Sequence, residues 1–289
     1  MNRLALGTVQ FGLPYGIANQ NGQVSRVVAG AMLQLAATKG IDTLDTAIAY
    51  GESETCLGEV GAQGFKLVTK LPAAPDGHDD INGWVHDQVK ASLERLGVQS
   101  LYGLLLHHSD QLLKTNGKEL FKALQDLKEV GLVQKIGVSI YAPSELDVLV
   151  PQYKFDLVQT PFNLIDRRIL LSGWLHRLKQ DGVEIHTRSA FLQGLLLMPR
   201  SKIPSKFAAW STLWDIWYNW LAQHSITSIQ ASLAYPLSFA EIDCVVVGAD
   251  SISQLEEIIS AATYVTSVDF PDMHCDAESL VNPSQWATI

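Results

Sequence analysis

The sequence predicts an α/β protein, a (β/α)8 TIM barrel in which residues 1–289 form a single domain. Three observations predict it. Eight short apolar runs recur along the chain, mostly continuous, as in strands buried on both faces. Helix-like segments separate them, and alternation of this kind implies parallel strands. No G-x-G-x-x-G follows the first run and no Pro/Gly/Ser linker divides the chain, so a closed barrel fits the length better than an open doubly wound sheet.

The strand-like runs are, in order, RLALGT, DTLDTA, FKLVTK, YGLLLH, QKIGVS, DLVQTP, VEIHTR and DCVVVG. After the first comes a surface loop, LPYGIANQNGQVS, and then VVAGAMLQLAATKG, apolar at helical spacing and closed by Gly40 as a C-cap residue. DINGWVHDQVKASLERLG places Trp84, Val85, Val89, Leu93 and Leu96 on one helix face and closes with Gly97. KELFKALQDLKEVG repeats the pattern and closes with Gly131. PSELDVLV, RRILLSGWLHRLKQDG and SISQLEEIISAATY are further helical segments. The stretch from Trp210 to Leu237 holds enough material for two more. Its tryptophans Trp210, Trp214, Trp217 and Trp220 read first as helix packing and second as a pocket wall. PRSKIPSKF reads as a loop, and the tail after Phe270 is polar and irregular.

A net charge of −9 with no basic block argues against a nucleic-acid partner. Cys56, Cys244 and Cys275 are scattered, with no metal-ligand spacing, so neither a disulfide framework nor a metal site is expected. Free thiols fit a reducing cytoplasm. The N-terminus lacks the pattern of a signal peptide, and no apolar run approaches the ~18 residues of a membrane helix. The expectation is a soluble, cytoplasmic protein, a monomer or small homo-oligomer, with no membrane partner.

In such a barrel the active site is built where strands end. The second run ends in Asp45, the third in Lys70, the fourth in His107 and His108. The fifth ends in Ser139, the sixth in Gln159 with Asn163 nearby, the seventh in Arg188 and Ser189. Tyr50 follows Asp45 on the next loop. A tyrosine is a poor acid at neutral pH, and a neighbouring ammonium favours its phenolate. A buried lysine needs a counter-charge, which Asp45 can supply. Asp45 taken alone is equally a helix N-cap, and Tyr50 and His107 taken alone are more often structural. Together they suit proton delivery to a carbonyl oxygen.

The motifs LGTVQFG, LDTAIAYGESE, VTKL, LLLHHSD, KIGVSIY, VQTPFNLIDRR, RSAFLQGLLL and VVVGADSISQLEE occur in order at the strand ends. Through them the chain resembles the aldo-keto reductase superfamily over nearly its whole length. The resemblance implies a barrel that binds a nicotinamide cofactor in extended form and uses no metal. It implies Tyr50 as proton donor, tuned by Lys70 and Asp45, with His107 orienting a small carbonyl substrate. His108 falls where the family often has a large pocket-lining side chain. The cofactor contacts it implies are Gly7, Thr8, Ser139, Gln159, Arg188, Ser189, Phe191, Gly248, Asp250, Gln254 and Glu257.

Several positions depart from the family pattern. Ile140 stands where an Asn usually helps hold the nicotinamide amide. Arg188 stands where an aromatic ring usually stacks on the nicotinamide; a guanidinium there can stack, turn outward or bind an acidic substrate group. NADP(H) is the family default. Residues 248–258 hold Asp250 and no Lys or Arg, and Ile258 replaces a usual Asn, which weakens a 2′-phosphate site and favours NAD(H). The N-terminus of the helix near Ser251 works the other way. Trp286 is a candidate to reach the mouth. Two rival classes are a catalytically quiet cofactor-binding barrel like the potassium-channel β subunits, which keeps the same residues, and a lyase using Lys70 as a Schiff base, a role the counter-charge of Asp45 works against.

Overall fold

Every strand-like run forms a strand, and most of the side chains in these strands are buried. In the computed structural model, which describes residues 2–17, 19, 22–75, 77–78, 80–264 and 269–288, the strands are β1 Leu4–Gly7, β2 Thr43–Asp45, β3 Lys66–Leu71, β4 Leu101–Leu106, β5 Val133–Ser139, β6 Leu157–Pro161, β7 Glu184–Arg188 and β8 Cys244–Gly248. They pair in parallel in chain order, and β8 returns to β1 through Leu4↔Val245 to Gly7↔Gly248, closing the barrel. Val68, Leu105 and Leu157 form a small apolar cluster of their own, separate from the main core between strands and helices. Side chains two residues apart share a strand face. Lys70, His107 and Gln159 each lie two residues beyond one member of that cluster, and so share its face at the C-terminal rim.

The helices are α1 Val9–Gly12, α2 Arg26–Thr38, α3 Ser53–Val60, α4 Ile81–Leu96, α5 Gly117–Glu129, α6 Ser144–Leu149, α7 Arg168–Leu171, α8 Trp174–Gln180, α9 Ser211–His224, α10 Ser228–Leu237, α11 Ile252–Ala261 and α12 Glu278–Val281. Local chemistry sets their ends. The Asp80 carboxylate accepts from the Gly83 N–H at 2.8 Å and starts α4. Gly97 ends it in the left-handed conformation, φ 66°. Thr227 and Gln230 form a reciprocal capping box at α10.

Three elements differ from the sequence expectation. RRILLSGWLHRLKQDG is two helices, because Gly173 at φ 79° breaks the run between α7 and α8. Helix α3 has little apolar pattern to announce it; it packs so closely on α4 that a Cβ at Gly58 would lie 2.0 Å from the Arg95 carbonyl oxygen. The tail after Phe270 carries α12 and a 3-10 turn, Pro283–Thr288. In it Trp286 is buried edge-on to Phe207. Trp286 is therefore a packing residue rather than a free side chain at the mouth. Trp214, Trp217 and Trp220 are buried as well, their indole N–H groups donating to the carbonyls of Phe207, Leu196 and Asp269. No helix among the described residues is long and apolar enough to cross a membrane.

Candidate active site

Four of the residues expected at strand ends form one linked group. Lys70 is 1% exposed, and its ammonium donates to Asp45 Oδ2 at 2.7 Å and to the Thr46 carbonyl at 2.8 Å. Asp45 Oδ1 accepts from Gln159 Nε2 at 2.6 Å, and Gln159 Oε1 accepts from the Ser139 hydroxyl at 3.4 Å. Asp45 is thus an ion-pair partner and not a helix N-cap. The pair lies wholly in the interior, where an unpaired charge would cost several kcal/mol. Burial works against the Lys70 ammonium, but Asp45 and then Tyr50 outweigh it, and the lysine is held above its ordinary range.

Tyr50 stands over this pair. The Lys70 nitrogen is 5.1 Å from its ring centroid, and the His107 ring meets it edge-on with centroids 5.9 Å apart. Burial, with Lys70 next, lowers the His107 pKa to about 4, so the imidazole is neutral at physiological pH and keeps one N–H to donate. His108 is exposed and tilts against His107 at 5.6 Å. The Tyr50 loop is held from behind: α1 packs on it so tightly that a Cβ at Gly12 would sit 1.8 Å from the Tyr50 carbonyl oxygen.

The expected cofactor contacts divide into two sets. Ser139, Arg188 and Gly248 end their strands, whereas Gln159, expected to end the sixth, stands inside β6, which runs on to Pro161; Ser189 follows β7 at φ 63°. Its carbonyl is held by the Asn163 amide at 3.0 Å. Phe191 is half-buried in the same loop. Gln254 accepts from the Asp250 N–H at 2.8 Å at the start of α11, where Ser251 caps the helix. Thr8 is different: it is fully buried, and its hydroxyl donates to the Asp45 carbonyl and bonds Ser53. It supports the Asp45 backbone. Gly7 lies against Val246, with room for a Cβ only at 3.1 Å. Glu257 is exposed on α11, and Ile258 is core. Burial raises the Asp250 carboxyl, which accepts from Asn19 Nδ2 at 3.3 Å.

Sequence reasoning missed Gln10, Tyr15 and Tyr141. Gln10 is 9% exposed, its Oε1 has no hydrogen-bond partner, and its amide covers the space that a side chain at Gly248 would fill. The signal was available: a glutamine in an apolar stretch just past the first strand. Tyr15 accepts from Gln193 at 3.0 Å, tying the loop after β1 to the loop after β7. Leu192 and Gln193 there have φ of 48° and 52°, a conformation costly for side-chain-bearing residues. Tyr141 stacks under Arg188.

The aldo/keto reductase family model matches residues 3–272. The chain is similar to an uncharacterized oxidoreductase of Bacillus subtilis, 25% identical over 254 residues that cover 80% of this chain and 81% of that one. It is 28% identical to L-galactose dehydrogenase of Arabidopsis thaliana over 290 residues, covering 91% and 86%. Among solved structures, an aldo-keto reductase of Bacillus halodurans in its holo form superposes with a TM-score of 0.72 at 21% identity, over 92% of this chain and 88% of that one. That likeness is one of fold.

Proposed function

Because the chain belongs to the aldo/keto reductase family, whose members carry out NAD(P)H-dependent carbonyl reduction, we propose that it reduces a small aldehyde or ketone, aldose-like carbonyls included, with Tyr50 as the proton donor. The observation that carries the reading is the buried Lys70–Asp45 pair, 2.7 Å apart, beneath the Tyr50 ring. An ammonium so placed stabilises the phenolate that proton transfer leaves behind.

The residues present fit a nicotinamide. The Ser139 hydroxyl, once turned from its long 3.4 Å bond to Gln159 Oε1, can donate and Gln159 Oε1 can accept, which matches a primary amide without the Asn that Ile140 replaces. The α11 N-terminus, capped by Ser251, suits a phosphate. When bound, the cofactor supplies hydride to the carbonyl carbon. Tyr50 gives its proton to the carbonyl oxygen, and the resulting phenolate, opposite Lys70, regains a proton from solvent. Neutral His107 donates its N–H to the same oxygen and orients it. A Schiff-base role for Lys70 is disfavoured, since Asp45 holds the amine protonated.

At the adenosine end the reading is a weakened NADP(H) preference, with NAD(H) used comparably or better, supported by Asp250 and the absence of Lys or Arg over 248–258. Consumption of NADH and NADPH against a panel of aldehydes and aldoses tests both parts. Turnover with NADH at least matching NADPH is expected. A large NADPH preference contradicts the cofactor reading, and no turnover with either contradicts the reductase reading.

A further inference from the structure

Arg188 ends β7 on the face it shares with His186 and Glu184, two and four residues back. Its Nη2 donates to the Ile140 carbonyl at 3.0 Å and its Nη1 to the Ser189 hydroxyl at 3.4 Å. The guanidinium lies over the Tyr141 ring at 4.7 Å. Its plane is therefore fixed between β5 and β7 before any ligand arrives, and the rest of its N–H donors have no partner among the described residues. Its charge reaches Lys70, His107 and Tyr15, so it belongs to the same mouth as the proton-donor group.

The lysines on the barrel strands are matched to carboxylates. Lys70 has Asp45, and Lys135 has Glu184. No carboxylate among the described residues lies in ion-pair range of Arg188. With the Lys70–Asp45 charges cancelling and His107 neutral, Arg188 sets a positive mouth. Tyr15 adds a second donor: its oxygen accepts from Gln193, which leaves its own O–H to give. A half-buried, preorganised guanidinium without a counter-ion is a bidentate anion receptor.

We propose that Arg188 anchors an anionic group of the substrate, carboxylate or phosphate, so that acidic carbonyl compounds are the preferred substrate class; this rests on the reductase reading above. The test uses matched pairs: 4-carboxybenzaldehyde against its methyl ester, and glyceraldehyde 3-phosphate against glyceraldehyde. Each variant is read as the ratio of kcat/KM within a pair, which cancels general losses. In the wild-type protein the ratio should favour the anion by at least about tenfold in one pair, and which pair identifies carboxylate or phosphate. Arg188→Met should abolish that preference, mainly through KM, and Arg188→Lys should keep part of it. An unchanged ratio in Arg188→Met overturns the proposal, as does a loss confined to cofactor affinity, which would assign Arg188 to the cofactor instead.

A second arm needs no turnover. Benzoate and inorganic phosphate are titrated calorimetrically into wild-type and Arg188→Met protein at fixed ionic strength. Binding at least about tenfold tighter to the wild type supports the anion site even if no aldehyde is reduced, in which case only the reductase reading fails. Equal binding to both proteins, or binding to neither, removes the anion site whatever the turnover shows.

Discussion

Lys70 is the residue on which the site turns, and its two neighbours explain why it tolerates complete burial. The ammonium is held by Asp45, and Asp45 in turn by Gln159. Lys70→Met leaves the Asp45 charge buried and unpaired, and should destabilise the fold by about 3–5 kcal/mol in denaturant unfolding. Replacing Asp45 by Leu at the same time should recover much of that loss. A double variant as unstable as the single would mean that the pair is not the reason for the burial. Lys70, Asp45, Tyr50 and His107 could all be read from sequence, because each ends or follows an apolar run where a polar residue is conspicuous. Arg188 was conspicuous too, but its resting place was not: whether a long side chain stacks, turns out or caps a carbonyl depends on neighbours such as Tyr141 that are remote in sequence. The resting place of the Thr8 hydroxyl was hidden for the same reason, since its bond to the Asp45 carbonyl is made across β1 and β2.

Elements place these residues, and close backbone contact does much of the work. Helix α1 reaches the Tyr50 loop only because Gly12 has no side chain. Gly12→Ala must push that loop away, since the neighbour it meets is backbone. The expected result is a loss of about 1–3 kcal/mol, as in overpacking, with a larger fall in kcat than in cofactor affinity. Retained stability and turnover would show that the Tyr50 loop is not set by this contact. Strands and long helices were legible because their apolar periodicity is strong. Helix α3 was not, because Gly58 trades apolar pattern for close approach to α4. The break at Gly173 was hidden because the residues on both sides keep a helical pattern.

The whole molecule carries two opposed histidines. Burial, then Lys70, holds His107 at about 4, below its ordinary 6.5. Its neutral burial becomes a penalty of about 3 kcal/mol as pH falls from about 6.5 to about 4, where only the unfolded chain gains the proton. His186, toward the other end of the barrel, is raised to about 9: burial opposes its charge, and Cys244 and Glu184 outweigh it. That contribution is complete below about 6.5 and is lost as pH rises through about 9. The melting temperature should therefore peak near neutral pH and fall on both sides, and His186→Gln should flatten the alkaline side. A melting temperature that rises from pH 7 to 9 would contradict this assignment. The barrel itself was the most legible feature, because eight alternations and a missing nucleotide-binding glycine motif left few other topologies.

Proton delivery by Tyr50 is put to the test by the steady-state reduction rate of wild-type and Tyr50→Phe proteins with the same aldehyde, each saturated with the better cofactor, with the cofactor Kd measured by tryptophan quenching alongside. The variant is expected to bind cofactor as before and to lose about 100-fold or more in kcat. A variant that binds cofactor and turns over at the wild-type rate would remove Tyr50 from that role.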